Sequence, residues 1–273
     1  MKSKTNLIVF FVVLFTFACD KAVTPPEQVP PNKYDTVYEG FVPPQITILN
    51  GPASGSTINF SAVTFIWKGT KNVTEYWYQF DSDLVSGWVK DTIVTKDFLD
   101  EGIHTLKLKC RINNQVEEQA IQTCSFTVDA VKGPAFMFFP RKKTVAIGQS
   151  FSYEIKAEEV TGFMGCKLVV KYDPTKIRVD SIQAGSYIQS NGASYLAFPS
   201  IVDPVAGKAS LDLVRLGGNP KSLTGTGTIA ILFGCMQSNS PVDITFLSSE
   251  TVYRDVDNKT VQVLLVDGRV VGQ

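Results

Sequence analysis

Val160-Thr-Gly162-Phe-Met-Gly-Cys-Lys-Leu-Val-Val-Lys-Tyr172-Asp173-Pro174 is the stretch from which the fold of this chain can be read. A strand sends successive side chains to opposite faces. Cys166, Leu168, Val170 and Tyr172 therefore share one face, read as the inner one, and Lys167, Val169 and Lys171 share the other. Asp173-Pro174 ends the strand in a turn, because proline fixes φ and donates no backbone hydrogen bond. An apolar row backed by a partly charged row is the unit of an antiparallel sandwich with one face on the core and one in water.

Working outward, similar segments fill the C-terminal half: Ala135–Phe139, Lys143–Ile147, Ser150–Ala157, Gly162–Tyr172, Lys176–Ser181, Tyr195–Pro199, Lys208–Leu216, Thr226–Met236, Val242–Leu247 and Thr260–Val271. Turn signals separate them, among them Ile147-Gly148, Asn191-Gly192, Asp203-Pro204, Gly217-Gly218-Asn219-Pro220, Ser240-Pro241 and Asp267-Gly268. Nine or ten strands without a helical period predict an all-β jelly-roll sandwich over residues 134–273. In Thr228–Met236 simple alternation puts Ile229, Ile231, Phe233 and Cys235 inside and exposes Thr228, Ala230, Leu232, Gly234 and Met236.

Residues 45–130 show the same period in shorter strands. Val63, Phe65 and Trp67 share a face, as do Tyr76, Tyr78 and Phe80 with Trp77 opposite, and Leu99–Leu108 enters a late strand through Gly102. About 85 residues of this kind predict an Ig/fibronectin-III-like sandwich. Its Trp67 and its Leu99…Gly102…His104…Leu106 run resemble bacterial fibronectin-III modules, which places Trp67 in the core and His104 at a strand corner. Trp77 and Trp88 are candidate exposed aromatics for stacking on sugar rings.

The N-terminus reads as an address. Lys2 and Lys4 precede an apolar stretch, Leu7–Ala18, shorter than the roughly 20 residues of a membrane span. Ala18-Cys19 resembles a bacterial lipoprotein signal, which implies cleavage after residues 1–18, lipidation of Cys19 and membrane attachment through that lipid alone. Residues 19–44, with Pro25, Pro26, Pro30, Pro31, Pro43 and Pro44, read as an extended tether. The expected location is the outer membrane or cell surface, facing outward.

Composition narrows the function. Lys and Arg number 26 against 26 Asp and Glu, which removes the electrostatic case for nucleic acid. A single His makes His-based triads and multi-histidine metal sites poor fits. Gly225-Thr-Gly227 lacks the third glycine of a dinucleotide loop and precedes a strand. Asp255-Val-Asp257-Asn258-Lys259 imitates half of a calcium loop but sets Lys259 where an oxygen ligand belongs. Neither a catalytic residue, a cofactor nor a metal is expected, and the chain reads as a binding protein rather than an enzyme. Besides Cys19 there are Cys110, Cys124, Cys166 and Cys235. In an exported chain an even count invites disulfides. Cys110 and Cys124, symmetric about residue 117 in an expected hairpin, are one candidate pair.

The C-terminal half resembles the cohesin domain. The resemblance is carried by Val145-Ala-Ile-Gly148-Gln-Ser-Phe151, the opening stretch through Asp173-Pro174, Ile177-Arg-Val179, Ala184-Gly185, Gly207-Lys-Ala-Ser-Leu211, Gly225-Thr-Gly227-Thr-Ile-Ala-Ile-Leu-Phe233, and Val263–Val271 with Asp267-Gly268. It implies a nine-stranded sandwich that binds dockerin-bearing proteins through one flat face and performs no catalysis. Family topology further implies that the strands of Cys166 and Cys235 are neighbours, so that these two form a disulfide or remain two buried thiols. It also implies a partner face made of Lys167, Val169, Lys171, Ala230 and Leu232. Docking of a dockerin-bearing or other surface or secreted protein, with scaffolding of polysaccharide-degrading enzymes, is the leading functional expectation. Direct polysaccharide binding and a structural or adhesive envelope role are the rivals.

Overall fold

The computed structural model describes residues 39–273. The expected signal, Cys19 and most of the tether lie outside the described residues.

The N-terminal sandwich is built from β1 (Ile46–Asn50), β2 (Thr57–Ile58), β3 (Val63–Gly69), β4 (Glu75–Phe80), β5 (Ile93–Lys96), β6 (Gly102–Ile112), β7 (Val116–Glu117) and β8 (Gln122–Val128). One sheet runs β1-β3-β5 and the other β2-β8-β6-β4, with β7 on β6. Alternation works as expected here: Val63, Phe65, Trp67, Leu106, Leu108, Cys110, Phe126 and Val128 meet in one core. Trp67 is fully packed, its ring edge-on to Tyr76 at 6.3 Å.

His104 is a structural corner. Its Nδ1 is 2.7 Å from Asp81 Oδ2 and its Nε2 2.9 Å from the Asp100 carbonyl, and the ring stacks on Phe80. Trp77 and Trp88 are both half-buried. The Arg111 guanidinium lies over the Trp88 ring at 4.3 Å, so that face is already occupied by a cation–π contact.

The C-terminal sandwich comprises β9 (Ala135–Phe139), β10 (Lys142–Val145), β11 (Ser150–Phe163), β12 (Gly165–Lys171), β13 (Ile177–Ala184), β14 (Ser194–Ala197), β15 (Ile201–Asp203), β16 (Lys208–Leu216), β17 (Leu223–Met236), β18 (Val242–Phe246), β19 (Val252–Arg254), β20 (Thr260–Val261), β21 (Leu264–Val266) and β22 (Gly268–Gly272). The front sheet runs β10-β22-β18-β12-β16-β14, with β15 also on β16 and β19 also on β12. The back sheet runs β13-β17-β11-β9-β21. The opening stretch thus spans two sheets: Val160–Phe163 finishes β11 at the back, and Gly165 begins β12 at the front. The inner rows Phe151/Tyr153/Ile155, Cys166/Leu168/Val170, Ala209/Leu211/Leu213 and Ala230/Leu232/Met236 form the core.

The outward assignment of Ala230 and Leu232 is corrected: both are 0% exposed. A β-bulge is the cause. Along β11, Ile155 pairs with Ala230 but the next residue, Lys156, pairs with Thr228, which leaves Ile229 as the extra residue. One inserted residue reverses the phase of every later side chain. Ile231, Phe233 and Cys235 accordingly turn to the half-exposed outer side of the back sheet.

Both expected disulfides are also corrected. All four described cysteines are free thiols. The hairpin is centred near residue 115, so Cys124 stands across from Leu106 while Cys110 stands across from Tyr76 on β4. Four residues of offset separate the two cysteines by about 13 Å along the ladder. Cys166 faces the core from the front sheet and Cys235 faces away from it on the back sheet, and β12 and β17 are not neighbours. Burial, then the Glu118 carboxylate, push the Cys110 thiol up to about 12; burial also raises Cys124 and Cys166. Thiolate is the reactive form. In a Cys19→Ser background, a maleimide should therefore label Cys235 alone on the folded protein, with Cys110, Cys124 and Cys166 reacting only after unfolding. Mass spectrometry of non-reduced peptides showing either disulfide would contradict this assignment.

The two sandwiches meet through the β5–β6 loop. Asp97 pairs with Lys142, Asp100 accepts the Arg141 N–H at 2.6 Å, and the Arg269 guanidinium covers the Phe98 ring at 4.6 Å. Glu101 accepts the N–H groups of Ala130 and Val131 in the connecting segment. A small apolar cluster of Val131, Ala135 and Met137 fills the junction.

Candidate functional site

The outer face of the front sheet sets charged side chains beside an exposed apolar edge. Across β12 and β16 the register sets Lys171 opposite Lys208, Val169 opposite Ser210, Lys167 opposite Asp212 and Gly165 opposite Val214. Beyond β16, Leu196 of β14 stands opposite Val214, Ser194 opposite Leu216 and Ile201 of β15 opposite Ser210. The outward row of β16 therefore begins charged, at Lys208 and Asp212, and ends apolar, at Val214 and Leu216. With Leu196, Phe198 and Ile201 this makes a contiguous apolar edge whose members are 40–70% exposed. These side chains form a contiguous exposed patch rather than scattered exposed aliphatics.

The reason for this arrangement lies in the inward row. Ala209, Leu211 and Leu213 face the core, and the next inward residue is Arg215, 0% exposed. Its guanidinium donates to the carbonyls of Ile188 at 2.7 Å, Lys221 at 3.0 Å and Pro220 at 3.2 Å. Arg215 thus ties the 3-10 segment Ser186–Gly192 to the turn before β17 at the end of the sandwich. Val214 and Leu216, its chain neighbours, are left pointing out.

The middle of the face is partly roofed. Between β18 and β19 the chain leaves the ladder, and Thr251 takes the place of a strand partner: its Oγ1 accepts the Val169 N–H at 3.3 Å and donates to the Val169 carbonyl at 3.2 Å. The Leu247 N–H also donates to that carbonyl. Glu250 in the same segment grips Lys208 Nζ at 2.7 and 2.8 Å, and this ammonium holds the Glu250 carboxyl below the usual range. Val169 is consequently 0% exposed.

Of the expected partner-face residues, Lys167 and Lys171 are exposed on this surface, Val169 lies beneath the Leu247–Thr251 segment, and Ala230 and Leu232 belong to the core. The residues that do form the face's apolar edge, Leu196, Phe198, Ile201, Val214 and Leu216, were missed by reading β12 and β17 as neighbours. A signal existed in Lys208–Leu216, where strict alternation turns its outward row apolar and its inward row to arginine.

Next to the apolar edge lies a cavity of about 630 Å³, floored by Gly165 and walled by Met164, Phe198, Val214, Val252 and Val256, with Lys167 and Arg254 at its rim. Gly165 lies across the sheet from Leu213 and Val214, where an added Cβ would come within 2.5 Å of the Leu213 carbonyl oxygen. The strand is bare backbone at that point.

The model of the cohesin domain family matches residues 138–271. No curated protein matches the chain. Among solved structures, a type I cohesin–dockerin complex from Clostridium thermocellum is 15% identical, with 51% of this chain and 98% of that one covered at a TM-score of 0.42. A non-cellulosomal cohesin from the archaeon Archaeoglobus fulgidus is 13% identical over 51% and 90% of the two chains, TM-score 0.41. A type II cohesin from the cellulosome of Acetivibrio cellulolyticus is 18% identical over 50% and 92%, TM-score 0.41. Residues 138–271 of this chain are a cohesin domain.

Proposed function

We propose that this protein is a lipid-anchored surface protein whose cohesin domain docks a dockerin-bearing partner through the outer face of the front sheet. Cohesins are protein-binding modules, and the single observation that carries the reading to this face is its exposed apolar edge, Leu196, Phe198, Ile201, Val214 and Leu216, beside charged Lys167, Lys171, Lys208 and Asp212. An apolar centre with a polar rim is what a protein interface needs. The Pro-rich tether and the N-terminal sandwich would hold that face away from a membrane, and scaffolding of polysaccharide-degrading enzymes is the role such placement serves. Direct glycan binding lacks a comparable surface, since Trp88 is engaged by Arg111 and Trp77 is half-buried.

The test is capture of partners from the source organism's secreted and envelope proteins by the full-length protein, with calcium and again with chelator. Dockerins fold around calcium, so a dockerin-bearing protein should be captured with calcium and lost with chelator. Val214→Arg, at a position already in water, should abolish capture while leaving the denaturation midpoint unchanged. Capture that survives Val214→Arg, or no capture in either condition, would overturn the proposal.

A further inference from the structure

The cavity beside Gly165 is more specific than an apolar edge requires. Its walls come from four elements, and its rim carries two cations on the same side. Lys167 stands across from Val252, and Gly165 across from Arg254, so Lys167 and Arg254 flank the bare backbone of Gly165 on one face of the β12–β19 pair. Neither makes an ion pair among the described residues; Arg254 donates to the Asn258 carbonyl at 3.1 Å. Two carboxylates also line the cavity. Asp255 is spent on its own hairpin, accepting the N–H groups of Asp257 at 3.0 Å and Lys259 at 2.8 Å. Asp212 is set on the far side, on β16, opposite Lys167 in register without closing an ion pair.

Two cations on one face of a strand pair, without a carboxylate bonded to either, can receive an anion. The apolar walls make it a site for an anion attached to an apolar body. Phe198 and Val214 belong both to the cavity wall and to the exposed apolar edge, so an occupant that continues from one onto the other covers the edge as well, which a protein surface does and a free small molecule does not.

We propose that this cavity is the specificity socket of the docking face: it takes a large apolar side chain of the protein partner, with an Asp or Glu beside it held by Lys167 and Arg254. The inference rests on the docking reading above and adds to it the chemistry by which one partner is chosen over another. Charge of this kind discriminates among partners more than it adds raw affinity.

The test is selection from a displayed library of random peptides on the full-length protein, followed by fluorescence polarisation of the enriched peptides. The variants are Lys167→Glu with Arg254→Glu, Val256→Trp to plug the mouth, and Leu196→Asp with Ile201→Asp on the edge outside the cavity; all these positions are solvent-accessible. Enriched peptides should pair a large apolar residue with Asp or Glu. Their binding should fall by roughly tenfold or more in the Lys167/Arg254 variant and in Val256→Trp. Replacing the peptide's acid by Lys should restore binding to the Lys167→Glu, Arg254→Glu protein, which a general loss of structure could not produce. Binders without an acid, or binders indifferent to Lys167, Arg254 and Val256 but lost with Leu196→Asp, Ile201→Asp, would overturn the socket and leave the docking face standing. Binders indifferent to all three variants, or an empty selection, would overturn the socket and remove the support that the face lends to docking.

Discussion

Leu232→Arg should prevent the cohesin domain from folding. The side chain is 0% exposed in the middle of β17, between β11 and β13, stands opposite Tyr153, and belongs to the same closed core as Phe151 and Leu168. An arginine there would bury a guanidinium with no acid to meet it, at a cost of several kcal/mol, comparable with the ~5–15 kcal/mol by which a domain is stable at all. Soluble protein should be lost, or recovered without the near-ultraviolet dichroism of packed aromatics. The milder Leu232→Ala allows a quantitative reading: a drop of about 2–5 kcal/mol in urea unfolding of the full chain. The same charge placed on the other sheet, at exposed Val214, should leave the stability within about 0.5 kcal/mol of the parent. If Leu232→Arg folds normally, the bulge at Ile229 and the phase it imposes are wrong.

Arg215→Ala should also be strongly destabilising. A buried arginine without a carboxylate partner looks like a liability, and two effects compete. Removing it relieves a buried charge, but leaves the carbonyls of Ile188, Pro220 and Lys221 without their donor and opens a cavity at the end of the sandwich. Three fixed carbonyl dipoles already solvate the charge, so the orphaned acceptors and the void win, and the expected loss is about 3–5 kcal/mol. Arg215→Lys should rescue only part, because one ammonium cannot span three acceptors arranged for a planar fork. Urea midpoints read both. Hydrogen exchange should localise the Arg215→Ala defect to Ser186–Gly192 and to the turn before β17. Equal stability of Arg215→Ala and the parent would show that the three contacts carry no net energy.

The sequence reading went furthest where the ladder is regular. In β3 and in β12, alternation alone assigns Val63, Phe65 and Trp67, and Cys166, Leu168 and Val170, to the core, and His104 stands at the corner that its neighbours in the chain imply. It failed at single-residue irregularities. In β17 both rows that follow Ile229, Ala230/Leu232/Met236 and Ile231/Phe233/Cys235, are largely apolar, so neither phase is penalised by composition, and only pairing with β11 shows where the extra residue sits. Cys110 and Cys124 failed for a related reason. The hairpin turns at Asn113-Asn114, which sets Arg111 opposite Glu117 and Leu106 opposite Cys124, so two cysteines both facing the core are four residues out of step.

By itself, then, the sequence determined the all-β architecture, the succession of strands along the chain, and the inward rows of β3 and β12, because these follow from a two-residue period and turn chemistry that act over a few neighbouring residues. Only the tertiary structure decided which outward rows lie side by side. Sheet order puts β16 and β14 next to β12 and sends β17 to the opposite layer, the Leu247–Thr251 segment roofs Val169, and the bare Gly165 opens a cavity between Lys167, Arg254 and Val214. A binding face is made by strands distant in the chain, and their order is set by how two sheets close over one core, which no local period encodes.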